Sequence, residues 1–226
     1  PPPFVTFKAK KQSRFLIKSI NRPKWCIIEK TSEDKIVSRK NLNWRKDEMF
    51  DYEKFEHAIL GQMTAVFNKW AEEKEDLYIF SLDCTRNLES IGVIGNTISY
   101  LEEQAKEDSE DYWYYKYCEE EWELFDTFEA VSADMGRYLE EQKNTFSNPE
   151  TLTYSDAFDA HFDQIIDHCK HALLHFRQTI NENHSHILLT FNVREFWDSE
   201  ERAEIFQAIN DENASKEYSE HIEDFA

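Results

Sequence analysis

Four histidines stand close together near the middle of the chain: His161, His168, His171 and His175. At 100° per residue on a helix they fall within about an 80° sector beside the apolar stripe. His171 and His175 have the i, i+4 spacing at which two imidazoles can share one metal ion, and His168 and His171 stand at i, i+3. A carboxylate from elsewhere could complete a site of nitrogen and oxygen donors. Against this, one straight helix rarely supplies more than two ligands, and only His184 and His186 offer a second histidine group. A half-buried helix edge and a pH-responsive interface are the competing readings, since imidazoles titrate near neutrality. The expectation is a protein with no metal and no cofactor. A metal-assisted hydrolase on this face is the alternative.

A second stretch of unusual composition is DYWYYKYCEEEW at 111–122. Its aromatic run is expected to anchor against a sheet through Tyr115, Tyr117 and Trp122, because large aromatics are more often core than site. Acids surround it. An aromatic centre inside a charged rim is also the anatomy of a tight protein interface. The candidate partner-binding residues are therefore Asp108, Glu110, Asp111, Tyr114, Tyr115, Glu119, Glu120 and Glu123. Glu119, Glu120 and Glu123 are expected on the open side of a helix beginning there, where negative charge also favours the helix N-terminus. Acids are so frequent that no general acid/base pair can be singled out.

The signatures of common enzymes are missing. There is no GxSxG elbow, P-loop, dinucleotide glycine motif or HExxH. With Gly61, Gly92, Gly95 and Gly136 as the only glycines, no glycine-rich phosphate cradle can form. The expectation is a protein without catalytic residues.

Charge narrows the partner. The chain of 226 residues carries a formal charge of −20, unevenly spread. Residues 1–48 hold 13 basic and 5 acidic groups, net +8, and residues 49–226 hold 13 basic and 41 acidic groups, net −28. This shift marks the expected boundary between a basic β-rich unit (1–48) and an acidic main domain (49–226). The acidic domain repels phosphate backbones and anionic membranes, so direct nucleic-acid and membrane binding are not expected of it. A basic protein partner is expected, steered by the opposite field. No apolar run approaches the roughly 18 residues of a membrane span. Cys26, Cys84, Cys118 and Cys169 are widely spaced without a CxxC pair, which suggests reduced, buried thiols and a cytoplasmic protein.

The elements that must position these residues follow from periodicity. Strands at 14–20, 24–30 and 35–40 would build the N-terminal unit. Residues 50–74 read as an amphipathic helix capped by Asp51, with Phe55, Ile59, Met63, Val66, Phe67 and Trp70 on one stripe. Strands follow at 77–84 and 90–95, then a short helix from Asn96 or Thr97 to about residue 106. Residues 119–143 read as helical with a break near 125–127, and 144–152 as a loop. Ser155 caps a long helix to about 181, 186–193 is a central strand, and helices cover 199–210 and 215–224. The fold class is α+β (mixed α/β): a small central sheet packed by several amphipathic helices.

Over about 50–226 this layout resembles an uncharacterised acidic bacterial family of unknown function. The resemblance rests on the strand YIFSLDC ending in an acid, on Tyr114-Tyr115, Lys116, Tyr117 and Glu121-Trp122, and on Phe128-Glu129. The strand HILLTFNV and the tail AINDENASKEYSEHI complete it. Where many members carry Ser-Pro before the Glu-Trp pair, this chain has Cys118-Glu119-Glu120. The resemblance implies an association with toxin systems. The expectation is then a non-enzymatic immunity protein that captures a basic cognate toxin electrostatically and occludes its active site. A regulatory interaction module is a further alternative.

Overall fold

The computed structural model describes residues 50–106, 111–148, 151, 153–180, 184–194 and 199–225. The N-terminal unit expected over 1–48 lies outside the described residues, as do Asp108 and Glu110.

Helix α1 (Tyr52–Glu73) starts where expected: the Asp51 carboxylate accepts the Lys54 backbone N–H at 2.9 Å. The stripe from Phe55 to Trp70 is buried, each large side chain contributing about 1.5–3 kcal/mol. β1 (Leu77–Thr85) and β2 (Ile91–Thr97) form an antiparallel hairpin. In its turn Leu88 sits at φ 59, a conformation costing an L-residue about 1–2 kcal/mol. Full burial of the Leu88 side chain offsets that cost.

Thr97 caps α2 (Ile98–Ala105), and α3 (Tyr112–Tyr117) leads into a 3₁₀ turn, Glu119–Glu121. Next come β3 (Leu124–Thr127), α4 (Glu129–Glu141), the short α5 (Lys143–Phe146) and the two-residue strands β4 (Ser147–Asn148) and β5 (Thr153–Tyr154). Ser155 caps α6 (Asp156–Thr179). β6 (Leu188–Arg194), α7 (Ser199–Ile209) and α8 (Glu212–His221) close the chain with a 3₁₀ turn, Ile222–Asp224.

Among the described residues the main sheet has four strands in the order β3-β2-β1-β6; β6 runs parallel to β1, the other pairs antiparallel. Strand alternation divides the core. Phe80, Leu82, Cys84, Leu189 and Phe191 face a large cluster with α1, α4 and α6. Ile79, Ile94 and Leu188 face a smaller aromatic cluster holding Tyr117, Trp122, Phe206 and Tyr218. The mixed α/β class is thus confirmed.

Two expectations are corrected. Residues 119–143 are not one helix with a break but a 3₁₀ turn, an edge strand and a helix. Backbone pairing of Leu124–Thr127 with Gly92–Gly95 outweighs local helix propensity. Residues 144–152 are not simply a loop: they hold most of α5 and the strand β4, which pairs with β5 just beyond them.

Cys84, Cys118 and Cys169 are free and buried. Burial pushes each thiol up, which favours its neutral form. No helix among the described residues is long and apolar enough to cross a membrane.

Gly92 lies where β3 approaches most closely. A Cβ there would collide with the Asp126 carbonyl oxygen, a backbone atom that cannot swing aside. Gly92→Ala is expected to lower the urea-unfolding free energy by about 1–3 kcal/mol. Gly61→Ala on α1, whose Cβ meets nothing, is expected to raise it by about 0.5–1 kcal/mol.

Candidate functional site

The face of the sheet that carries the smaller cluster turns polar towards the carboxyl ends of β1 and β6. Asp83 lies beside Asn192 in the parallel register, and Thr85 beside Arg194. Asp83 is 4% exposed. Arg194 grips its carboxylate: Nε lies 3.1 and 3.0 Å from the two oxygens, and a terminal nitrogen lies 2.8 Å from Oδ2. Asn192 donates at 3.3 Å. Burial pushes the Asp83 carboxyl up, against the opposing pull of Arg194 and Asn192.

A second buried pair lies near it. Glu119 accepts from Arg202 of α7 at 2.5 Å, and both side chains are largely buried, at 7% and 12% exposure. Burial pushes the Glu119 carboxyl up, and the negative charge of Asp83 adds to that. Asp83, near the carboxyl end of β1 in the parallel pair, stands where α/β proteins often place chemistry, and Glu119 reaches towards it from the 3₁₀ turn. Here each is matched by a guanidinium, an arrangement that fixes structure at least as readily as it catalyses. Surface depressions lined by Arg177, Ile180 and Asp211, and by Asn87, Leu139 and Phe158, are lined by neither carboxylate.

The aromatic stretch is anchored much as expected. Tyr117 is 1% and Trp122 9% exposed. Lys116 binds Glu217 of α8 at 2.5 Å, the Tyr117 hydroxyl donates to the same carboxylate, and Trp113 stacks on His221 at 3.9 Å. Tyr114 and Tyr115 are half-buried, and the Tyr114 hydroxyl donates to Glu121 at 3.1 Å.

The acids around the stretch divide. Asp111 and Glu120 are exposed. Glu123 is half-buried, accepts from the Thr97 hydroxyl and lies 3.8 Å from Lys74. Glu119 is a correction: it does not face solvent, because the 3₁₀ turn tucks it against Arg202. The sequence reading missed Phe125, which is 79% exposed on the edge strand β3, opposite Ile94. The signal for it was the alternation in LFDT, hidden between two helical patterns.

The histidines separate as well. His161 is buried among Phe50, Tyr52, Tyr138 and Phe146, with Nδ1 sharing a 2.8 Å hydrogen bond with the Tyr52 hydroxyl. Its Nε2 has no partner. Burial lowers His161 to about 4 and raises the Tyr52 phenol to about 12. His168 and His171 meet at Glu56 of α1, whereas the pairing of His171 with His175 is not the one that finds a carboxylate. His175 and His186 are exposed, and His184 packs its ring 5.7 Å from Phe67.

A family model described as a domain of unknown function matches residues 55–213. No curated protein and no solved structure matches the chain.

Proposed function

This chain belongs to the DUF4303 family of domains of unknown function, and from that premise we propose that it is a non-enzymatic protein-binding domain whose partner is a basic protein. The observation that carries this reading is Phe125. A large aromatic that is 79% exposed on a sheet edge, between Glu123 and Asp126, has the form of a binding anchor. Exposed Glu120 and Asp111 extend the acidic rim.

Electrostatics support the same reading. Arg194, Arg202 and Lys116 are engaged with Asp83, Glu119 and Glu217. Arg177 donates to the carbonyls of Ile187 and Ile209 and to Asn210. These four cations are therefore committed to groups of the fold itself, against an excess of acids that gives residues 49–226 a net charge of −28. Such a field raises the encounter rate with a basic surface, and an apolar contact at Phe125 then slows dissociation. The outer edge of β3 also presents backbone groups that a partner strand can pair with.

The finer form of the proposal is immunity: the partner is a basic toxin whose active site the domain covers. Partners captured by the full chain at low and high salt, then expressed alone and together with it, test both levels. For the captured protein, Phe125→Ala is expected to weaken binding about thirtyfold, the ~2 kcal/mol of a hot spot. Glu120→Lys with Asp126→Lys should slow association at low salt and change it little at high salt. Association unaltered by both changes would place the interface on another face. A captured partner that is harmless when expressed alone would leave binding standing and remove the immunity role.

A further inference from the structure

We propose that Glu56, His168 and His171 form a site for a divalent transition metal of the zinc class, joining α1 to α6. The proposal is independent of partner binding, which involves other elements.

The geometry is specific. Glu56 Oε2 accepts from His168 Nδ1 at 2.6 Å and lies 3.8 Å from His171 Nδ1. One donor atom from each residue can be chosen so that all three lie within 4.8 Å of one another. Donor atoms bound tetrahedrally to zinc stand about 3.3 Å apart, from bond lengths near 2.0–2.2 Å. The observed spacings bracket that value, so side-chain torsions suffice to close the site. A hydrogen bond joins His168 to the carboxylate, and a bound ion would take the place of its proton.

Two imidazoles and a carboxylate suit zinc better than calcium or magnesium, which favour all-oxygen sets. The surroundings fix the first two ligands and free the third. Glu56 and His168 side chains are 24% and 20% exposed, and His171 is 63% exposed. The Tyr52 ring stacks on His168 at 5.5 Å and 12°, which holds the plane of that imidazole. Phe55, Ile59, Phe162, Ile165 and Cys169 fix the two helices from the core side. The open side at His171 leaves a fourth position for water. The acidic domain raises the local concentration of cations.

The rival arrangement is the His171–His175 pair, which has the spacing but no carboxylate in the cluster. Separating the two requires full-length protein free of an affinity tag and stripped with a chelator. Zinc is titrated by calorimetry, and cobalt serves as the spectroscopic probe. One equivalent of zinc should bind, cobalt should show the visible bands of four-coordination, and excess zinc should raise the thermal midpoint. His171→Ala, an exposed change whose fold is checked by circular dichroism, should weaken binding at least tenfold, as should Glu56→Gln. His175→Ala should leave it unchanged. The proposal falls if no saturable equivalent binds, if His171→Ala binds like the parent protein, or if His175→Ala loses as much as His171→Ala.

Discussion

Replacing Arg202 with alanine is expected to destabilise the protein by about 3–5 kcal/mol, because it leaves a buried carboxylate without its counter-charge. Glu119 and Arg202 lie 2.5 Å apart with 7% and 12% of their side chains exposed, so water cannot stand in for the guanidinium. The loss should depend on pH. Burial already pushes the Glu119 carboxyl up in the parent protein, and removing Arg202 pushes it further. As the pH falls, Glu119 in the variant takes up a proton and the deficit against the parent shrinks. Chemical unfolding at pH 7.5 and pH 5.5 measures both effects. Glu119→Leu combined with Arg202→Met should recover most of the stability, since an apolar pair needs no compensation. A uniform deficit across pH, or no recovery in the double variant, would mean that Arg202 acts through packing on Phe225, whose ring lies 5.6 Å away.

The second large effect belongs to His161. Its buried imidazole is held neutral, with its folded value lowered to about 4 from 6.5. A lowered value for a base means that the folded state resists a proton the unfolded chain accepts. The associated stability is fully present above pH 6.5 and disappears as the pH falls towards 4. At 1.36 kcal/mol per pH unit the total is about 3 kcal/mol, of which about 2 kcal/mol is lost by pH 5. His161→Phe places an apolar ring among Phe50, Tyr138 and Phe146 and frees the half-buried Tyr52 hydroxyl to meet water. The variant should therefore show a shallower fall in unfolding free energy between pH 7 and pH 5. Parallel curves for parent and variant would mean that another group governs acid sensitivity.

The helices with strong periodicity were legible in the sequence. α1 and α6 appear with their apolar stripes, and with Asp51 and Ser155 as caps, because amphipathic spacing and capping are local properties. The strands β1, β2 and β6 were equally visible as short, largely apolar runs. β3 was not, since four residues of an edge strand carry less signal than the helical patterns beside them. The candidate site was legible only in its ingredients. Glu119 looked exposed because its partner Arg202 stands 83 residues away. The helix offered two histidine spacings of equal merit. The choice of His168 with His171 came from Glu56, 112 residues distant from His168, on a helix whose crossing no local pattern records.

The parallel pairing of β1 with β6 also sets an order of assembly during synthesis. The β1–β2 hairpin closes across a short turn as soon as it is made. Its other neighbour arrives late: Asp83 and Asn192 are 109 residues apart in the chain. Until then the edge of β1 opposite β2 has backbone groups without their strand partner, and Leu189 and Phe191 are missing from the core that Phe80 and Leu82 share. Such long-range closure slows folding and prolongs the exposure of sticky strand surface. A nascent chain stalled before residue 188 would thus present an aggregation-prone edge, which the arrival of β6 would cover.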